Sequence, residues 1–338
     1  LMADAASHSI DDVQSVALML LEDARTLVNS CISGEGFEQF EDEFQSYWVR
    51  WEKTKLAFTS LCSPQGPTRW VSAWHGKQVT VVADNDELLR RWLENRNGDE
   101  SNGKLSLQQV PFVWLPRPPR PEEYPQSAGE LLSLIAGDPD ARSMVEALII
   151  DEKARFKSVL LGFEGRTGVG FAGLRIREVQ SQGLKNGFRK RPPQQVLLMR
   201  WKAAPVLGAA VTRYDSAWVH GRDHNLRLLE LQKQSVVVLG IGSVGSTVAE
   251  LLSKAGVPQI TLVDPERLAS ENVGRHALGA SAVGKGKAEG MAQSLARRFP
   301  HLTFEGYQKD IDAFALEDIE RLRSATLIIA ATGSWRAE

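Results

Sequence analysis

The chain has 338 residues, enough for about two domains, with 43% apolar and 24% charged residues and a net charge of −2. That balance, with Lys and Arg spread along the chain, argues against a nucleic-acid binder, and no apolar run reaches the ~20 residues that span a bilayer. Its two cysteines, Cys31 and Cys62, make neither a disulfide scaffold nor a four-thiolate zinc site, and they suit a reducing, cytoplasmic setting.

Residue 1 is Leu, and the chain stops just after the apolar run LIIAAT (327–332), so it reads as a fragment incomplete at its C-terminus. Residues 10–30 show helical spacing of apolar positions, and 36–60 continue in a helical, aromatic-rich style. RWVSAW (69–74) and QVTVVA (78–83) read as a hairpin, and 84–95 as a helix behind an Asp/Asn cap. A strand is expected at 110–115, then a proline-rich connector (116–125) and two short helices between 127 and 150. Residues 159–165 and 168–179 read as a second hairpin, and QVLLMRW (195–201) as a further strand. Residues 1–210 thus look like an α+β domain with hairpins and no βαβ rhythm.

The pattern changes in residues 211–338. Strands at 235–240, 259–264, 302–308 and 326–331 alternate with helices at 244–256, 287–300 and 316–325. That alternation predicts a Rossmann-like, doubly wound parallel sheet with helices on both faces. Between its first strand and helix stands GIGSVGS, in which Gly240, Gly242 and Gly245 fit G-x-G-x-x-G. Gly240 permits the turn, Gly242 lets phosphates approach the backbone, and Gly245 lets helix and strand pack closely. Asp264 ends the next strand, where an acid can take ribose hydroxyls or simply shape the turn before Pro265.

Neither feature separates NAD from ATP. The following stretch does, because it sets Asn272, Arg275, His276, Lys285 and Lys287 just beyond the acid. Clustered cations suit a reaction that transfers AMP, where charge builds up on phosphate oxygens in the transition state. A nicotinamide enzyme has little use for them.

GIGSVGS, ITLVDPERL, ENVGRHALG, VGKGKAE and IIAAT together resemble the ThiF/MoeB/HesA family, the adenylating enzymes at the root of ubiquitin activation. The resemblance covers about residues 215–338. It implies Mg²⁺ and ATP as cofactors and a nucleotide site formed by Gly240, Gly242, Ser243, Gly245, Asp264, Asn272, Arg275 and Lys287. It also implies that Arg275, Lys287 and Arg222 stabilise the transferring phosphate, Arg222 often across a homodimer. The implied substrate is the C-terminal glycine carboxylate of a ubiquitin-like or sulfur-carrier protein. With WVHGRDHN (218–225), the chain is most similar to bacterial fusions of conjugating-like and activating domains, found in anti-phage defence operons. On that resemblance residues 1–210 would bind the carrier or a conjugating partner.

One position departs from the family. Gly333 stands where members commonly carry a magnesium-binding Asp, which leaves the ion to the nucleotide phosphates, water and a residue such as Asp310, or else marks a degenerate site. The alternatives are therefore a non-catalytic homologue acting as a scaffold and, further off, an NAD-dependent oxidoreductase. No zinc ligand set is visible, Cys62 and Cys31 read as structural, and the basic run KNGFRKRPP (185–193) reads as a solvated loop.

Overall fold

The computed structural model describes residues 13–33, 44–51, 56–97, 105–165, 168–177, 193–221 and 230–333. Helix α1 (Val13–Ser33) and α2 (Phe44–Trp51) come first. The 36–60 stretch is not all helical: its end, Ala57–Ser60, is strand β1. Phe58 points into an apolar core, and β1 is held on both sides by other strands. This tertiary pairing overrides local helical preference.

Six strands follow β1: β2 (Arg69–His75), β3 (Val79–Ala83), β4 (Leu107–Leu115), β5 (Lys157–Gly165), β6 (Gly168–Ile176) and β7 (Val206–Arg213). They close a seven-stranded barrel in the order β1-β3-β2-β4-β5-β6-β7. Both expected hairpins, β2–β3 and β5–β6, are present and antiparallel. Helix α3 (Asp86–Asn97) starts where expected, with Asn85 Oδ1 accepting from Leu88 N at 2.9 Å.

Three expectations need correction. First, β4 and β5 pair in parallel, joined by α4 (Ala128–Leu134) and α5 (Pro139–Ile150), so this half does contain a β-α-β crossover. The proline-rich connector and the length of the crossover hid it. Second, QVLLMRW is not a strand. It lies in helix α6 (Gln194–Trp201), where Leu198 and Trp201, three apart, pack on the outer core. Its Gln, Leu, Met and Arg residues are good helix formers, and a short apolar run does not reveal its period. Third, β7 runs through residue 210 to Arg213, so the barrel crosses the expected domain limit at 210/211. Gly208 and two alanines made that strand inconspicuous.

Alternation within the barrel strands is regular. Phe58, Val71, Ala73, Val82, Val110, Phe112, Leu160 and Phe171 fill the lumen. The intervening residues of β5, Val159, Leu161 and Phe163, face the helices outside. With both faces covered, the strand reads as one apolar run.

After β7 comes the short helix α7 (Ser216–His220), then β8 (Ser235–Leu239), α8 (Ser243–Lys254), β9 (Gln259–Val263), α9 (Lys287–Arg298), β10 (Thr303–Tyr307), α10 (Leu316–Arg323) and β11 (Leu327–Ala330). These four strands form an all-parallel sheet in the order β10-β9-β8-β11. Val236, Val238, Ile260 and Leu262 pack toward α8 and α9, while Val237 and Val263 meet Phe314 and Leu322 on the other face. The order reverses between β8 and β11, which opens a crevice at their C-terminal ends, the usual ligand position in such sheets.

The two halves meet at α7. His220 Nδ1 lies 3.1 Å from Lys254 O, and its Nε2 lies 2.8 Å from His301 Nε2. A carbonyl can only accept, so His220 carries its proton on Nδ1 and accepts from His301 at Nε2. His220 is therefore neutral. Burial holds both pKa values down, that of His301 to about 4 from 6.5. The folded state refuses protons that the unfolded chain takes up, so stability present above pH 6.5 is lost as pH falls toward 4. The melting temperature is expected to be lower at about pH 5 than at about pH 7, and His301→Gln to shrink the difference. A pH-independent melting temperature would contradict this account.

Candidate nucleotide site

The glycine loop leaves β8 in a conformation few residues could adopt. Gly240 has φ +83°, and a Cβ there would lie 2.7 Å from Thr332 Cα. A Cβ on Gly245 would come within 1.9 Å of Gly240 O, whereas one on Gly242 would meet nothing within 4 Å. The three glycines thus serve the turn, the open approach and close packing, as the motif requires. Helix α8 has Gly242 as N-cap, with no side chain capping it. Its first N–H groups and the positive end of its dipole are left for an anion.

Ile241 anchors the loop. Its N–H donates to Asp264 Oδ2 at 2.6 Å, and its carbonyl lies 2.8 Å from His276 Nε2. His276 Nδ1 accepts from Leu278 N at 3.0 Å, so the proton sits on Nε2 and the ring is neutral. Burial, then the nearby Lys287 charge, lowers its pKa further from the charged form. His276 is consequently a loop clamp and not one of the phosphate-side cations.

Asp264 is buried, and its second oxygen accepts from Glu266 N at 2.8 Å. It lies behind the loop and does not line the cleft. The turn-shaping role is therefore present in the geometry, while each carboxylate oxygen keeps a lone pair for a ribose hydroxyl. Asp264→Asn puts an amide N–H₂ against one of two backbone donors and is expected to cost about 1–3 kcal/mol in denaturant unfolding. An unchanged midpoint would remove this structural role.

The cleft itself has a volume of about 500 Å³ and lies between the glycine loop and the end of β11. Gly242, Ser243, Asn272, Arg275 and Lys287 line it, together with His276 and residues 329–333. Asn272 Oδ1 is buried there without a hydrogen-bond partner among the described residues. Arg275 is exposed. Lys287 opens α9, is 7% exposed, and pairs with Glu266, whose side chain is 68% exposed. Backbone bonds hold this arrangement: Lys287 N donates to Glu266 O at 2.9 Å and Leu268 N to Lys285 O at 2.9 Å.

The structure thus gathers Gly242, Ser243, Asn272, Arg275 and Lys287 around one cleft, with Gly240, Gly245 and Asp264 supporting the loop. Lys285 is exposed and outside the lining. Arg222 lies outside the described residues. Glu266 was missed by sequence reasoning, although its position two residues after Asp264 places it beside the strand end. Among the described residues no carboxylate lines the cleft, and Asp310 caps Asp312 N instead. Among the described residues no group of three or more potential metal ligands occurs.

A parallel sheet, a glycine loop at the crevice and two cations beside a bare helix N-terminus make a crevice whose electrostatics favour an anion such as phosphate. Comparison with known families gives a likeness: residues 220–338 match the ThiF family. Residues 1–57 match prokaryotic E2 family B, a match that ends where β1 begins. The chain is 25% identical over 326 residues to the ATP-dependent ubiquitin transferase-like protein Cap2 of Pseudomonas aeruginosa, covering 94% of this chain and 58% of that one. It is 24% identical over 307 residues to Cap2 of Vibrio cholerae, covering 84% and 52%. It is 33% identical over 90 residues to the molybdopterin-synthase adenylyltransferase of Salmonella typhimurium, covering 26% and 36%. The chain therefore spans a little over half the length of these two Cap2 relatives. Among the described residues no helix is long and apolar enough to cross a membrane.

Proposed function

We propose that this chain contributes the ATP-binding site of an enzyme that adenylates the C-terminal carboxylate of a ubiquitin-like or carrier protein. The observation that carries the reading is the meeting of Lys287, Arg275 and the uncapped start of α8 in one cleft. The carboxylate attacks the α-phosphorus, and the bond from that phosphorus to the pyrophosphate oxygen breaks. Lys287, nearly excluded from water, holds a fixed point charge on the phosphates. Arg275 offers a planar fork to phosphate oxygens. Asn272 lines the same cleft beside these cations. Glu266, being exposed, releases Lys287 at little cost when phosphate arrives.

The cleft residues fit the nucleotide. Among the described residues they offer no carboxylate to magnesium, which this reading places on the phosphates themselves. Arg222, a homodimer that would bring it to a partner's cleft, and a cytoplasmic setting belong to the same proposal. So does a role for residues 1–210 in binding the carrier or a conjugating partner. Similarity to Cap2 and to molybdopterin-synthase adenylyltransferase supports the reaction class. ATP–pyrophosphate exchange by the full reading frame, dependent on its carrier, tests it.

Gly333 favours a second reading, that of a non-catalytic scaffold. It has φ +63°, and a Cβ there would meet nothing within 4 Å. Asp tolerates that backbone better than most residues. Gly333→Asp is expected to fold and to strengthen magnesium dependence of exchange several-fold. Exchange absent in both proteins would support the scaffold.

A further inference from the structure

At one mouth of the barrel the apolar lumen gives way to polar residues. His75, Thr80, Gln108, Ser158 and Arg175 continue the inward-facing positions of β2 to β6. His75 sits opposite Thr80, and Ser158 opposite Arg175. His75 Nε2 lies 3.1 Å from Ser158 Oγ, and Arg175 Nη2 donates to Thr80 Oγ1 at 2.6 Å. Phe156 packs against this layer, held by Gln108, whose amide donates to Phe156 O at 2.6 Å. The Phe156 ring stacks on His75 at 4.7 Å, with the guanidinium carbons of Arg175 and Arg155 at 4.9 and 5.2 Å from its centre.

The opposite mouth shows how this barrel treats arginines with counter-charges. Arg69 and Arg213 also lie over rings, 4.5 Å from Phe112 and 4.6 Å from Phe171. Each is paired with a carboxylate, Arg69 with Asp84 at 2.7 Å and Arg213 with Asp215 at 2.8 Å. Among the described residues neither Arg155 nor Arg175 has such a partner, and the buried Nε–H of Arg175 has no acceptor. Burial lowers the Arg175 pKa, and burial, then Arg175 and Arg155, holds His75 neutral, near 3. A partly buried guanidinium without a counter-charge is costly, and the deficit here is one of negative charge.

We propose that this barrel mouth binds a small oxyanion, a phosphate or carboxylate group, through Arg175 Nε–H and the Arg155 guanidinium. Barrel mouths are favoured ligand positions, and charge-assisted bonds to arginine are the strong kind. The site is built on the barrel strands and the loop that enters β5, and does not depend on the nucleotide cleft.

Inorganic phosphate and acetate, titrated separately into the whole chain by calorimetry, test it. At least one is expected to keep a binding site in Arg275→Ala, a variant that weakens any separate phosphate binding in the nucleotide cleft. Arg175→Gln and Arg155→Ala are each expected to weaken that binding about tenfold or more. Tighter phosphate identifies a phosphate group as the ligand, and tighter acetate a carboxylate. Arg155 is exposed, so its variant remains decisive if Arg175→Gln does not fold. Failure of both anions to bind, binding unchanged in Arg155→Ala, or binding abolished in Arg275→Ala overturns the proposal.

Discussion

Lys287→Ala is expected to lower carrier-dependent ATP–pyrophosphate exchange by about 10²–10³-fold, the usual effect of removing one preorganised charge from a transition state. Burial is the reason. Lys287 is 7% exposed at the start of α9, so its charge acts through little water. The same substitution should scarcely disturb folding, because the partner it leaves, Glu266, is 68% exposed. Loss of an exposed partner costs within about 1 kcal/mol. Lys287→Arg keeps the charge and should retain part of the activity. Exchange at the native rate in Lys287→Ala would show that phosphate is stabilised elsewhere.

Asp215→Ala is expected to destabilise the protein by about 3–5 kcal/mol, seen as a fall in the denaturant midpoint. Arg213 and Asp215 are 7% and 4% exposed, and form two bonds, 2.8 Å from Nε and 3.0 Å from Nη2. Asp215 also caps α7 by accepting from Trp218 N at 3.1 Å. Removing it leaves Arg213 buried between Phe171 and Trp218 with no carboxylate. The effect comes mainly from that stranded charge, so Arg213→Met added to Asp215→Ala should recover much of the loss. A double variant no more stable than the single one would place the cost in the lost cap.

The sheet half was legible because its sequence and its packing share one period. β8 and β9 are buried on both faces, β8 reads as a continuous apolar run, and each helix carries an apolar stripe. The cleft was legible in part. Glycine spacing found the loop, and the order of Asn272, Arg275 and Lys287 found its rim. The protonation and partners of side chains were not legible. His276 looks cationic by letter but is neutral because Leu278 N occupies its Nδ1. Asp264 looks like a ligand residue, yet both its oxygens first bind backbone.

The barrel was harder for a physical reason. Its closure depends on parallel pairing of β1 with β3 and β7, strands far apart in sequence. Nothing local in Ala57–Ser60 or Val206–Arg213 announces those partners. The hairpins, whose register is set by a short turn, were found without difficulty. α6 shows the remaining ambiguity, since Leu198 and Trp201 satisfy a helix only once the outer core they pack on is known.

The central claim is that the cleft at the ends of β8 and β11 binds ATP through its cations. Calorimetric titration of the chain with Mg-ATP, with NAD in parallel, on the native protein and on Lys287→Ala tests it most directly. The account predicts binding of ATP and not NAD, weakened about tenfold or more in the variant. Binding of NAD in place of ATP, or ATP binding indifferent to Lys287, would contradict it.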